Sequence, residues 1–480
     1  MLLANEESSR IIALTRQLAR AAGKDELEEA LALCRKHQPA GYQDRMRARR
    51  ARYEGRQRGL VSAALQRRFP STYQRMPIAP LNWMRLVASQ DCGVYAEPPE
   101  RYLEVGEQRI DDETDPQAMA FHELVEAAEL DAVMVEAERA AFAAGTVFLR
   151  TSWQRTSADD PGVPRVDIYW PDTVGVVCHP SSPSSFAMAT LLIAQVSGPT
   201  GPGSDTRWYE VWSRASEDDD AGNVLRWGPW TRHLLSTDGD SALAAGDPRA
   251  VWPGAVLPWA CIQTGQPSAS VYVDTDHDLD DVVDGLNVSR SNETYTLELQ
   301  GHTQLVYAGT HLETNEIVVG PDAIAKIGPN DTLQPIALSP NLAEMRAARK
   351  QSLNELAATR GNSPDAYATE VGNVLSGVSR RIANLPHDRK LASMRHMFRV
   401  VEEKQVLPML IDLSNTFAPA NVPEITATPK MNPKNPPDAE DPESKTRRIQ
   451  TALSEGRRKE EFTAYEKATD NAFQAKKLGV

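Results

Sequence analysis

The hydrophobic period of this 480-residue chain changes twice, and that change constrains the fold more than any motif does. Up to Ala144 the apolar residues recur at helical spacing. From Thr146 they gather in short runs rich in Val, Ile, Tyr and Trp (TVFLRTSW, VDIYW, VGVVC, MATLLIAQV, RWYEVWSR), separated by turn signals. From Asp278 the helical period returns. Helix and strand kept in separate blocks predict an α+β chain, and the length suggests about three domains.

In the first block, residues 6–22 carry Ile11, Ile12, Leu14 and Leu18 on a helix ended by Gly23. Asp25 caps a second through Leu27, Leu31 and Cys34. An arginine-dense segment follows, with nine arginines between Arg45 and Arg68 and one acid, Glu54. Such a helix either faces acidic surface elsewhere on the chain or meets phosphates or an acidic partner. Arg45, Arg47, Arg49 and Arg50 are the partner-binding candidates. Pro80 suits the first turn of a short helix. Pro116 to Ala144 reads as one long acidic helix closed by Gly145.

The tryptophans concentrate between Trp153 and Trp259, as an aromatic core of the strand block. In the last block, DLDDVVDGLNVSRSNETYTLELQG predicts a helix with a polar middle. A compact strand-and-turn stretch follows (QLVYAG, EIVVG, TLQPIAL). The next helix, from Asn341 to Thr359, turns Leu342, Met345, Leu353 and Leu356 inward and Arg346, Arg349 and Lys350 outward. A helical region from Thr369 to Phe417 is kinked near Pro386 and Pro408. Seven prolines in residues 419–442 predict an extended linker, and a charged helical tail ends the chain.

Chemistry has no visible seat. The net charge is −14, from 52 basic and 66 acidic residues, which does not fit a surface that grips nucleic acid everywhere. Cys34, Cys92, Cys178 and Cys261 form no CxxC pair and read as reduced, structural residues. No phosphate-binding loop, dinucleotide fingerprint or nucleophile elbow is present. His122-Glu123 does not extend to a zinc motif, because Glu126 stands where the second histidine belongs. Alternating carboxylates at Asp274, Asp276 and Asp278 imitate a calcium loop, but Leu279 and Gly285 occupy its required Gly and Glu positions. They read as acidic caps on the helix that follows. No metal and no cofactor is expected. No apolar run reaches membrane-spanning length, and MLLANEESSR lacks a secretory pattern, so a soluble protein made inside the cell is expected.

Several segments, in order, carry a resemblance. They are PIAPLNWMRLVASQDCGVYAEPPERYL, AAGTVFLRTSW with VDIYWPDTVGVVCHPSSP, DLDDVVDGLNVSRSNETYTLELQGHTQLVYAG, and IALSPNLAEMRAARKQSLNELAATRG with EVGNVLSGVSRRIA. Together, from about Tyr53 to Phe417, they resemble the portal (head–tail connector) proteins of tailed bacteriophages. The resemblance implies a ring of twelve subunits at one capsid vertex of a virion, assembled in the host cytoplasm. Double-stranded DNA would be packaged and ejected through its channel. The implied partners are the terminase large subunit, a head–tail adaptor, capsid and scaffold proteins and the passing DNA, with no membrane. After N-terminal helices at 1–39, the wing would span 40–275. The stem would be 276–300 and 339–360, the clip 301–338, and the tunnel loop 361–368. A long wing helix would occupy 369–418, the linker 419–442, and a crown or tail 443–480.

The DNA-channel candidates are then Arg346, Arg349, Lys350 and Arg360, with the loop residues Gly361, Asn362, Ser363 and Pro364. A channel through which duplex slides must avoid strong phosphate contacts, and an acidic subunit repeated around a ring supplies a repulsive field. The same cations equally suit salt pairing between subunits. The strands near Gln304 to Leu338 are expected to pair between neighbouring subunits. The competing readings are another virion structural or adaptor protein, and a metal-dependent hydrolase using Asp274, Asp276, His277 and Asp278.

Overall fold

Short amphipathic helices open the chain, and their apolar faces need a sheet to cover them. The computed structural model describes residues 10–18, 23–110, 114–155, 160–196, 206–218, 224–237, 252–265, 270–273, 277–301, 304–308, 332–336, 342–363, 367 and 377–434. Helix α1 covers residues 10–18 and α2 spans Lys24–Lys36, with Glu26 turning back to accept the Gly23 N–H at 3.0 Å. Helix α3 (Tyr42–Tyr53) holds the arginines, and α4 (Arg58–Arg68) follows. In α5 (Trp83–Asp91) the cap is Asn82, which accepts the Arg85 N–H at 3.0 Å. Pro80 therefore lies before the helix and outside its first turn. Strands β1 (Glu100–Val105) and β2 (Gln108–Arg109) form a hairpin.

The single helix expected over 116–144 is two, α6 (Pro116–Ala127) and α7 (Leu130–Ala144). Between them Glu129 takes the left-handed conformation at φ 48°, which breaks the helical ladder. Periodicity alone could not reveal this, because apolar residues continue at helical spacing on both sides. The start at Pro116 and the stop at Gly145 fall as expected, and the Asp115 side chain caps the first turn.

The strand block forms two antiparallel sheets. One has the order β11-β3-β4, from Trp259–Gln263, Thr146–Gln154 and Val163–Tyr169. The other is β10-β7-β6-β5, from Thr231–Ser236, Trp208–Ser213, Ala189–Val196 and Val174–Cys178. Strands β8 (Ser216–Asp218) and β9 (Val224–Trp227) pair as a small hairpin. Ile11, Leu14, Leu18, Leu27 and Leu33 bury themselves against Val177, Leu191, Ile193, Val211 and Leu235 of the second sheet. Helix α2 can come this close because Gly175 lacks a side chain: a Cβ there would lie 2.6 Å from the Cys34 Cβ.

Helix α8 (His277–Gly301) follows, then β12 (Gln304–Ala308) paired antiparallel with β13 (Thr332–Ile336), then α9 (Leu342–Thr359). The two strands place Gln304 opposite Ile336 and Ala308 opposite Thr332. Helix α10 (Gly377–Val401) runs through Pro386. Its irregularity falls later, as a π turn at Glu402–Val406 that leads into α11 (Leu407–Phe417), with Pro408 in the first turn. Part of the expected linker is bound into the fold. Thr428–Asn432 forms β14, which pairs with β1, and Ile425, Ala427 and Met431 are buried. Residues 435–442 of that linker, the 443–480 tail and residues 309–331 of the clip lie outside the described residues.

Glu210 on β7 joins the two large sheets. Its carboxylate is wholly enclosed and accepts Arg150 Nε of β3 at 2.7 Å and Arg232 Nε of β10 at 2.5 Å. Burial by itself pushes this carboxyl up, but the two guanidiniums outweigh burial and hold it below the usual carboxylate range. A carboxyl lowered in the folded state stabilises above its ordinary pKa, and that contribution is lost as pH falls through the lowered value. Glu210→Gln is expected to cost about 3 kcal/mol at neutral pH, from the buried arginine left without a counter-charge. In thermal melts the gap between wild type and variant should close as pH drops below about 4. A gap that persists in acid would refute this account.

Candidate functional site

Helix α8 is polar through its middle, and the fold gives that polarity three successive partners. Asp280, Asp284, Asn287 and Ser291 recur at spacings of four, three and four, so they form one stripe. At the first level the stripe meets α3. Arg49 Nε reaches Asp280 at 2.7 Å, and Arg52 grips Asp284 through two nitrogens at 2.9 and 2.8 Å. The Arg49 side chain is only 2% exposed. At the second level Asn287 and Ser291, both wholly buried, accept the backbone N–H groups of Leu81 and Ala79 at 2.8 and 3.2 Å. Two residues after Ser291, about 200° around the helix, Glu293 meets Arg346 at 2.7 Å and also Arg349, both on α9. Burial raises the Glu293 carboxyl, but the hydrogen bond from Arg346 and the charge of Arg349 outweigh that and hold it low.

These contacts set the direction of α9. Glu293 faces Arg346 and Arg349, whereas Arg290, earlier in α8, shares a cleft with Leu353 and Asn354. The two helices are therefore antiparallel and joined at one end by β12 and β13.

At the other end, α9 runs into a second charged site. Arg360 Nη1 lies 3.5 Å from Asp91, whose side chain is fully buried, and Lys390 of α10 lies 3.2 Å from the same carboxylate. Gly361 takes φ 75°, which closes the helix, and its neighbour Asn362 donates to Asp91 at 2.6 Å. The Tyr367 hydroxyl donates to Asp91 as well. Arg360 and Lys390 both stand over the Phe142 ring, 4.8 and 5.3 Å from its centroid. One buried carboxylate on α5 thus fixes both ends of the loop that follows α9. Ser363 is half-buried there, and Pro364 lies outside the described residues.

The partner-binding candidates scatter. Arg47 is exposed and pairs with Asp44, Arg50 pairs with Glu54, Arg45 donates to the Ala40 carbonyl, and Arg49 is enclosed against α8. Of the channel candidates, Arg346, Arg349 and Lys350 share the α8–α9 cleft, whereas Arg360 and Asn362 gather at Asp91. Sequence reasoning missed Asp91 and the role of Glu293. The four-three-four stripe was the available signal for the α8 contacts, but a lone aspartate at the end of α5 carried none.

Reactive groups are few. Burial pushes the Cys178 thiol up to about 12 and raises Cys34, Cys92 and Cys261 as well, so none ionises at neutral pH. All four are free of disulfides. Among the described residues no three His, Cys, Asp or Glu side chains converge as a metal site. Asp274, Asp276 and the His277 side chain lie outside the described residues, and Asp278 stands exposed in the first turn of α8. No helix among the described residues is long and apolar enough to cross a membrane.

These features define a mixed α+β chain with an antiparallel helix pair, α8 and α9, packed against the body through α3, α5 and Asp91. No protein-family model matches the chain, and no curated protein matches it. It is similar at 12% identity to a chain in the neck of an empty gene transfer agent particle with C6 symmetry, over 82% of this chain and 89% of that one, with a TM-score of 0.42. A chain of the native gene transfer agent virion gives the same identity and coverages at a TM-score of 0.41. The native neck with C12 symmetry gives 12% identity over 72% of this chain and 86% of that one, at 0.36. Superpositions this loose do not assign function, which is read from the chain's own residues.

If Asp91 holds the loop after α9, Asp91→Ala should release it. Trypsin is expected to cut after Arg360 in the variant and to spare that bond in wild type, with stability lowered by roughly 3 kcal/mol. Equal cleavage of both proteins would refute the anchoring role.

Proposed function

We propose that the chain is a portal subunit. Twelve copies form a ring at one capsid vertex, and double-stranded DNA enters and leaves through its centre. In this reading α8 and α9 are the stem, and β12 and β13 belong to a clip that docks the terminase large subunit and later the head–tail adaptor. The sheet-rich body is the wing, which meets capsid and scaffold. The loop after Arg360 is the tunnel loop, and α10 to α11 is the spine of the wing. The protein carries no chemistry of its own.

The observation that carries this reading is the antiparallel α8–α9 pair, joined at its tip by a strand hairpin and tied at its base to the body through Asp91. Charge supports it too. Arg346 and Arg349 are both answered by Glu293, so a passing phosphate must compete with a carboxylate already in place. A net charge of −14 on each copy, multiplied around a ring, adds repulsion that keeps duplex from sticking. Grip stays weak, and sliding stays possible.

Negative-stain electron microscopy of the purified protein, with its mass in solution, tests the proposal. Rings with a central hole and a mass near twelve subunits are expected. A particle without a hole, or a mass of one or two subunits, would overturn it.

A further inference from the structure

The cleft between α8, α9 and the start of α5 has a volume of about 450 Å³ and a wall dominated by cations. Arg290, Arg346, Arg349 and Lys350 line it, with Glu293 as the one carboxylate among the lining residues. Glu293 is already held by Arg346 and Arg349. Arg290 forms no ion pair among the described residues. Trp83 closes the floor at 4% exposure, and its indole N–H finds no acceptor among the described residues. A concave site with surplus charge and a buried donor suits a carboxylate that enters it. The convex backbone of a duplex does not reach into such a recess.

The opposite face of the same helix pair offers that carboxylate. Glu355 is exposed on α9. It lies nine residues from Arg346, about 180° around the helix, and five from Lys350, about 140°. Its neighbour along the chain, Asn354, lines the cleft, so acid and cleft stand at the same height on the helix pair. A unit with a cationic recess on one side and an acid on the other, at equal height, can join its copies head to tail, the kind of contact from which a ring is built when its rotation closes.

We propose that this cleft receives Glu355 of a neighbouring copy, and that the contact holds adjacent helix pairs together. The occupant is a second copy of this chain, so the inference rests on the ring reading while adding the residues that make the contact.

Charge exchange tests it. Arg290→Glu and Glu355→Arg should each shift the assembled mass toward monomer, and the double variant should restore the ring, a recovery that misfolding cannot imitate. In rings mixed from unlabelled and 15N-labelled protein, carbodiimide should link the Lys350 amine to Glu355 in peptides of mixed isotope. Lys350→Arg should abolish that link. Full-sized rings from both single variants, with Lys350 linked only within its own copy, would overturn the inference and leave the ring reading standing. Absence of any ring in wild type would overturn both. Intact rings that lose retention of a short DNA duplex in Arg290→Glu, without the Lys350 link, would assign the cleft to nucleic acid and overturn the inference as well.

Discussion

A charge enclosed by protein must be met by a partner, and here the partners stand hundreds of positions away in the chain. Glu402 shows the constraint most sharply. It lies in the π turn before α11 with no exposed surface, where it accepts the Tyr95 hydroxyl at 2.6 Å and an N–H of Arg101. Arg101 in turn reaches Asp131 on α7 at 2.5 Å. Losing either member of such a pair leaves the other charge buried and unmatched, at a cost of about 3 to 5 kcal/mol. The π turn adds a residue to the helical ladder, and the carboxylate that meets β1 stands within it.

The same constraint governs residues 91–101 as a whole. Glu138 of α7 accepts the backbone N–H groups of Gly93, Val94 and Tyr95 at 2.9, 2.9 and 3.3 Å. Asp91 gathers Arg360, Asn362, Tyr367 and Lys390. This short stretch therefore ties α5, α7, the loop after α9, α10 and the π turn together. Hydrophobic burial supplies most of the driving force, whereas the buried charges choose which apolar faces meet.

These charges differ in how fully they are answered. Where one carboxylate meets two arginines, as Glu210 and Glu293 do, the elements that carry the arginines are held to the element that carries the acid. In the cleft beside Trp83 the lining cations outnumber the one lining carboxylate.

Much of the secondary structure was legible in the sequence because it is a local matter. The shift of period at Thr146, the start at Pro116, the stop at Gly145 and the helix ending at Thr359 depend on residues a few positions apart. The α8 stripe was legible as a pattern, although its meaning was not. Nothing local announced that Glu129 divides two helices, that Thr428–Asn432 returns to pair with β1, or that Arg49 turns inward while Arg47 turns outward. The strand pairing and the burial of Arg49 depend on which surfaces approach one another across more than two hundred residues. By itself the sequence determined where most of the helices and the central strands form, since that depends on spacing along the chain. Only the tertiary structure decided which charges are buried and who answers them, because the cost of an unmatched charge exists only once water has been excluded from around it.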